Sequence, residues 1–262
     1  MKYQIDTIPV WEALEFQGPC MLCTLRAKTE AGEIDRVLGA SVMEPDVRVK
    51  TNETGICCKH QQMMFATQNR LAHALLMDTH AMEVQKKLQK IKTQAERLRE
   101  SGGKPLTGRT QDTEIADKLR ALTARGITYR GILYAGCIVC ETIATHMERY
   151  LYTLVYLWKT DPKFKQRLAQ SHGLCVPHSA DLIEASAKHL RAKERKEFIL
   201  CCLRLVDEPL AEDEKDLLWF TQKFDYRNQD KPWGNSKSAT ERTVNRLRGY
   251  CLGDVPYEKP KK

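Results

Sequence analysis

Apolar residues recur at helical spacing along most of the chain. Ile143, Met147, Leu151, Leu154 and Trp158 step by three and four, which predicts a helix beginning near Cys137 and Cys140. Asp161 and Pro162 read as cap and first residue of a short helix, "DPKFKQRLAQSHG", closed by Gly173. The segment from Leu174 to Val206 then reads as one long helix, and so does the segment from Lys59 to Glu100. In the latter, Val84, Leu88, Ile91, Ala95 and Leu98 form a short a/d seam. Ile115, Leu119 and Leu122 form a matching stripe, so the two stretches should pair as a hairpin across "SGGKPLTG". The stretch after Cys23 is more polar, holds two glycines and predicts a weaker helix. Beyond residue 207 the pattern predicts helix through Phe224. An aromatic segment follows, in which Phe224, Tyr226 and Trp233, with Arg227 and Asn228, either pack over the helices or line a pocket.

With 7% aromatic residues and 14 glycines in 262, the composition disfavours an all-β fold. The expected class is all-α. No apolar run approaches the roughly 20 residues of a membrane span. The N-terminus "MKYQIDTIPVWEALEF" lacks the basic-then-apolar layout of a signal peptide, so the expected compartment is the cytoplasm. In a reducing compartment, ten cysteines point to metal or redox chemistry rather than to disulfides.

The cysteines repeat a pattern. Aligning Cys20 with Cys137 places Cys23 on Cys140 and Pro45 on Pro162, each proline 22 residues beyond its cysteine. With one residue inserted, Gly55, Cys57 and His60 fall on Gly173, Cys175 and His178. The pattern predicts a duplicated helical unit, each copy supplying C-x2-C and then G-x-C-x2-H. Thiolate and imidazole pairs one turn apart suit tetrahedral zinc. The simplest assignment closes one site within each copy: Cys20, Cys23, Cys57 and His60, then Cys137, Cys140, Cys175 and His178. Ligands crossing between copies remain an alternative, as do an iron–sulfur cluster and a redox dithiol in place of zinc. Cys58 faces Val176 in the alignment and is not expected as a ligand; Cys201 and Cys202 lie in an apolar run and read as packing cysteines.

The expected blocks are 1–100 (first metal-binding repeat), 101–130 (linker and basic helix), 131–206 (second repeat) and 207–262 (C-terminal helix and aromatic tail). Of the net charge of +8, residues 84 to 130 carry +7, from twelve Lys or Arg against five Asp or Glu. A basic hairpin is a candidate nucleic-acid surface, with Lys86, Lys87, Lys90 and Lys92 as candidate contacts, and equally an ordinary solvated helix pair.

The paired cysteine motifs, together with "FTQKFDYRNQDKPWGNSK", resemble an uncharacterised family of bacterial domains found chiefly in anaerobic Firmicutes. The resemblance covers most of the chain and implies a bacterial, cytoplasmic protein; it brings no activity. The residues offer no phosphate loop, nucleophile elbow or acid–base pair. Two functions fit: a non-catalytic, zinc-stabilised helical adapter for a macromolecular partner such as RNA or a ribonucleoprotein, or an iron–sulfur or thiol-based redox protein or sensor.

Overall fold

The computed structural model describes residues 6–16, 18–100, 111–123, 127–129, 132–134 and 136–257, with side chains placed outside 98–100, 111–113, 120–121, 123 and the two short strands. The chain is helical. The described elements are α1 (Thr7–Glu15), α2 (Met21–Leu38), α3 (Pro45–Thr54), α4 (Cys58–Ala66), α5 (Arg70–Glu100), α6 (Gln111–Thr123), α7 (Ile138–Thr160), α8 (Pro162–Ala169), α9 (Val176–His189), α10 (Ala192–Gln222) and α11 (Ala239–Arg248), with short 3-10 turns between some of them. One antiparallel hairpin interrupts them, β1 (Ile127–Tyr129) with β2 (Ile132–Tyr134). Among the described residues, no helix is long and apolar enough to cross a membrane.

The chain forms two compact units: Met1–Thr29 with Thr145–Lys262, and Glu30–Ala144. Both boundaries fall inside helices, α2 and α7. In the first unit Phe164, Phe198, Leu154, Leu168 and Leu182 are fully buried. Trp11 meets Phe164 edge-on at 5.1 Å, and Trp158 meets Phe198 at 5.0 Å. In the second unit Met64 and Leu76 are fully buried and Val47 nearly so. There α3 packs on α5, and Arg48 of α3 donates to the Leu75 carbonyl at 2.9 Å. Burying each such aliphatic side chain contributes roughly 1.5–3 kcal/mol.

Local chemistry sets the helix ends. Pro45 and Pro162 each open a helix at its first position, where the missing N–H costs nothing. Asp161 caps α8 by accepting from the Lys163 and Phe164 N–H groups, as expected. Two expected long helices are each broken. The first breaks between α4 and α5, where Gln68 takes φ 66 and the Asn69 side chain accepts from the Ala72 N–H. The second breaks at Leu190, where the Arg191 N–H donates to the Glu194 carboxylate at 3.1 Å. The polar α2 is a full 18-residue helix. Two of its three acidic residues, Glu30 and Glu33, are buried with partners while Asp35 is exposed; Glu33 receives a two-pronged contact from Arg36 and a bond from Thr142.

The basic hairpin exists as α5 packed on α6, with Lys118 donating to Gln94 at 2.6 Å. The expected linker, "SGGKPLTG", lies outside the described residues. The helix expected through Phe224 ends at Gln222. Trp233 then packs against Phe220, while Phe224 and Tyr226 stay 71% and 79% exposed. The segment is organised by buried Lys223, whose ammonium donates to the carbonyls of Asn228, Gln229 and Lys231 at 2.5, 2.7 and 2.6 Å.

Candidate metal centres

The eight candidate ligands gather into two clusters. Cys20, Cys23, Cys175 and His178 form one, and Cys57, His60, Cys137 and Cys140 the other; within each, the donor atoms lie within 4.8 Å of one another. Cys20 and Cys23 therefore meet Cys175 and His178, and Cys137 and Cys140 meet Cys57 and His60, which is the crossed pairing and not the simplest assignment from sequence. Each cluster lies wholly within one compact unit.

All four ligand pairs share one local geometry. The first cysteine of each pair immediately precedes a helix, and its carbonyl accepts the first i+4 bond: Cys20 from Thr24, Cys57 from Gln61, Cys137 from Glu141, Cys175 from Ser179. The second donor then sits three residues on, in the first turn, facing the same way as the first. Two helix N-termini converge on each cluster, and their partial positive charge favours thiolate over thiol.

The separations fit a four-coordinate ion. In the first cluster the His178 Nδ1 lies 3.7, 3.4 and 3.2 Å from the sulfurs of Cys20, Cys23 and Cys175, and the Cys23 and Cys175 sulfurs are 3.7 Å apart. In the second, the His60 Nδ1 lies 3.1, 3.3 and 3.5 Å from Cys57, Cys137 and Cys140, with the Cys57 and Cys140 sulfurs 3.8 Å apart. A tetrahedron with arms of about 2.3 Å to sulfur and 2.0–2.1 Å to nitrogen has edges of about 3.5–3.8 Å. All ten cysteines are free thiols.

Each cluster is supported differently. In the first unit, Pro209 inside α10 has no N–H to give the Leu205 carbonyl. That carbonyl accepts instead from the Leu174 N–H at 2.8 Å, pinning the loop before Cys175. Gly173 is required there: its φ is +113, and a Cβ would lie 2.6 Å from the Leu205 oxygen. Buried Arg246 of α11 donates to the carbonyls of Pro19 and His172, one beside each ligand pair, and pairs with buried Asp213 at 3.0 Å. In the second unit the Gly55 carbonyl accepts from the Ile138 N–H at 3.2 Å, tying the two ligand loops together directly.

Glu30 is the functional residue that sequence reasoning missed. Its carboxylate receives the His60 Nε2–H at 2.9 Å and also contacts Lys59. The bond fixes the tautomer that turns Nδ1 toward the sulfurs, the usual arrangement behind a metal-bound histidine. Only the long-range approach of α2 to α4 reveals it.

Within the second cluster one thiolate is held by its neighbours. Hydrogen bonding from Cys140 holds Cys137 well below the ordinary thiol range; burial opposes this and His60 assists. Cys140 is driven up by the same bond and by burial. Burial alone would lower His60, but bonds to Cys137 and Glu30 outweigh it and raise its pKa to about 9. Burial would raise Glu30, but His60 and Lys59 hold it at about 2. The raised histidine stabilises the fold fully below its ordinary 6.5, and that stabilisation is lost as pH rises through about 9. Metal binding must displace this proton. Metal affinity of the second cluster should therefore climb as pH rises toward about 9, because His60 and the raised Cys140 thiol both give up protons, as chelator competition would show. A flat profile would mean that neither His60 nor Cys140 gives up a proton to a metal ion.

The remaining candidates stand apart. Cys58 and Cys251 are exposed and outside both clusters, Cys202 is buried, and Cys201 is half-buried. Lys86, Lys90 and Lys92 are exposed on α5, while Lys87 is half-buried; Lys86 pairs with Glu83 at 2.6 Å.

A model described as a family of unknown function, DUF6062, matches residues 1–254. The chain belongs to that family. The matched span includes every candidate ligand and α11, so both clusters fall inside the DUF6062 region. No curated protein and no solved structure matches the chain.

Proposed function

We infer that the protein is a non-catalytic helical adapter held together by two zinc ions, which presents a basic arm to an RNA or ribonucleoprotein partner. The observation that carries this is the closed donor set: three sulfurs and one imidazole nitrogen at tetrahedral separations, twice. Zinc closes structural sites with such a set, and no further coordination position remains for a substrate. A cluster of this kind contributes folding energy directly, which suits a protein whose α3 and α4 are only ten and nine residues long.

The partner reading rests on α5 and α6, the packed pair that lies in the stretch carrying most of the net charge. If lysines of α5 contact phosphates, log affinity for bulk cellular RNA should fall linearly with log salt, by about 0.7–0.9 per phosphate contacted. Replacing Lys86, Lys87, Lys90 and Lys92 by Gln should weaken binding and flatten that slope while both metals stay bound. A gel shift at low and moderate salt, beside elemental analysis, tests both halves of the reading. Iron in place of zinc ends the first half; no RNA bound at low salt ends the second.

A further inference from the structure

The two clusters have the same donors and different surroundings. In the first, all four ligands are buried; Cys20, Cys23, Cys175 and His178 are 2, 4, 1 and 6% exposed. Residues 249–256 close over it. Gly249, at φ +82, lies in packing range: a Cβ there would make ordinary contact, 3.9 Å from the sulfurs of both Cys175 and Cys23. The Tyr250 N–H donates to the Cys23 sulfur at 3.3 Å, and the Pro256 carbonyl accepts from Thr24 on the same helix turn at 2.9 Å. An N–H bond to a metal-bound sulfur withdraws electron density and blunts its nucleophilicity. In the second cluster Cys137 and His60 are buried, but Cys57 and Cys140 are each half-buried. Exposed Cys58 sits next to Cys57. The charged groups around it are paired, Lys59 with Glu30 and Lys50 with Glu141. Among the described residues no strap like 249–256 bonds to a sulfur of this cluster.

We propose that the second cluster is a thiol-modification site, at which Cys57 and Cys140 react with small-molecule disulfides and release the metal, while the first cluster is inert. This rests on the metal reading above. The chemistry is thiol–disulfide exchange. One of the two accessible thiolates attacks a sulfur of the small disulfide; the S–S bond breaks, a thiolate leaves, and a mixed disulfide remains. The other thiolate, 3.8 Å away, attacks the protein sulfur of that mixed disulfide and expels the second thiolate. The products are a Cys57–Cys140 disulfide, two small-molecule thiolates and a free metal ion. Two electrons pass from the protein to the reagent. The metal leaves because only Cys137 and His60 remain to hold it. The cluster that opens lies in the unit that carries α5 and α6, so release would loosen the anchor of the proposed partner-binding arm.

The test uses the full-length chain loaded with zinc, carrying Cys58→Ser, Cys201→Ser and Cys251→Ser to silence the accessible thiols outside the two clusters. An aromatic disulfide, 5,5′-dithiobis(2-nitrobenzoate), is added with a chromophoric zinc indicator, and the products are mapped by peptide mass spectrometry. The expected result is early loss of one of the two zinc ions, two thionitrobenzoate ions per zinc released, and a peptide pair linked through Cys57 and Cys140. The second zinc should follow only on unfolding. Simultaneous loss of both ions, earlier reaction at Cys20, Cys23 or Cys175, or no metal loss on prolonged treatment would each overturn the proposal. Failure of the underlying metal reading is separately visible, as fewer than two zinc ions per chain before the reagent is added.

Discussion

Replacing Cys57 by Ser will remove the same metal ion as replacing Cys137 or Cys140, and will spare the ion lost with Cys175→Ser. The clusters dictate this pairing, because Cys57 shares donors with Cys137 and Cys140 and lies in their compact unit. The effect should be large. Structural zinc contributes about 10–16 kcal/mol of apparent binding energy in small zinc-dependent folds, comparable to the whole stability of an ordinary domain. Metal content should therefore fall from two ions to one, and one unit should open. Hydrogen exchange identifies which. With Cys57→Ser, protection should be lost where α4 and α7 begin, since each donor pair occupies a helix's first turn. Protection near Cys20 and Cys23, where α2 begins, should persist. Loss at the start of α2 instead would restore the pairing within each copy. Cys58→Ser should leave both ions in place, because that thiol is exposed and outside the cluster.

The residues of both clusters are legible from the chain alone because their chemistry is local. A cysteine before a helix, a second donor three residues later and a preceding glycine are all short-range features. The pairing is not legible. It depends on which helix starts converge, and nothing within the spacing of either copy records that. The helix breaks illustrate the same limit. Asn69 and Glu194 each satisfy backbone N–H groups at a new helix start, yet neither is a glycine or proline that would announce a stop. The polar α2 reads as weak because Glu30 and Glu33 look solvated. In the folded chain they are buried against His60, Lys59, Arg36 and Thr142, three of which lie far off in sequence or on another helix. Pro209 is the clearest case of a local rule broken for a distant purpose. A proline inside a helix costs an intrahelical bond, and here the orphaned Leu205 carbonyl is the acceptor that holds the loop before Cys175.

The second large effect should come from Asp213→Ala. Asp213 is 4% exposed and receives Arg246 at 3.0 Å and Arg242 at 2.9 Å. Arg246 is itself buried and spans the loops beside both donor pairs of the first cluster. Removing the carboxylate leaves a guanidinium in the interior with only the carbonyls of Pro19 and His172 as partners. Breaking a buried pair in this way costs about 3–5 kcal/mol, far more than a surface ion pair would. The damage should be confined to one unit. Cobalt substituted into the first cluster should show altered or lost thiolate charge-transfer bands, while the second cluster keeps its spectrum. Replacing both partners with apolar residues, Asp213→Leu with Arg246→Met, should recover much of the thermal stability, because no charge is then stranded. It should not recover the first cluster's metal affinity, because the bonds to the two loop carbonyls stay lost. If the double variant restores both stability and metal binding, Arg246 is ordinary core packing and does not position the ligand loops.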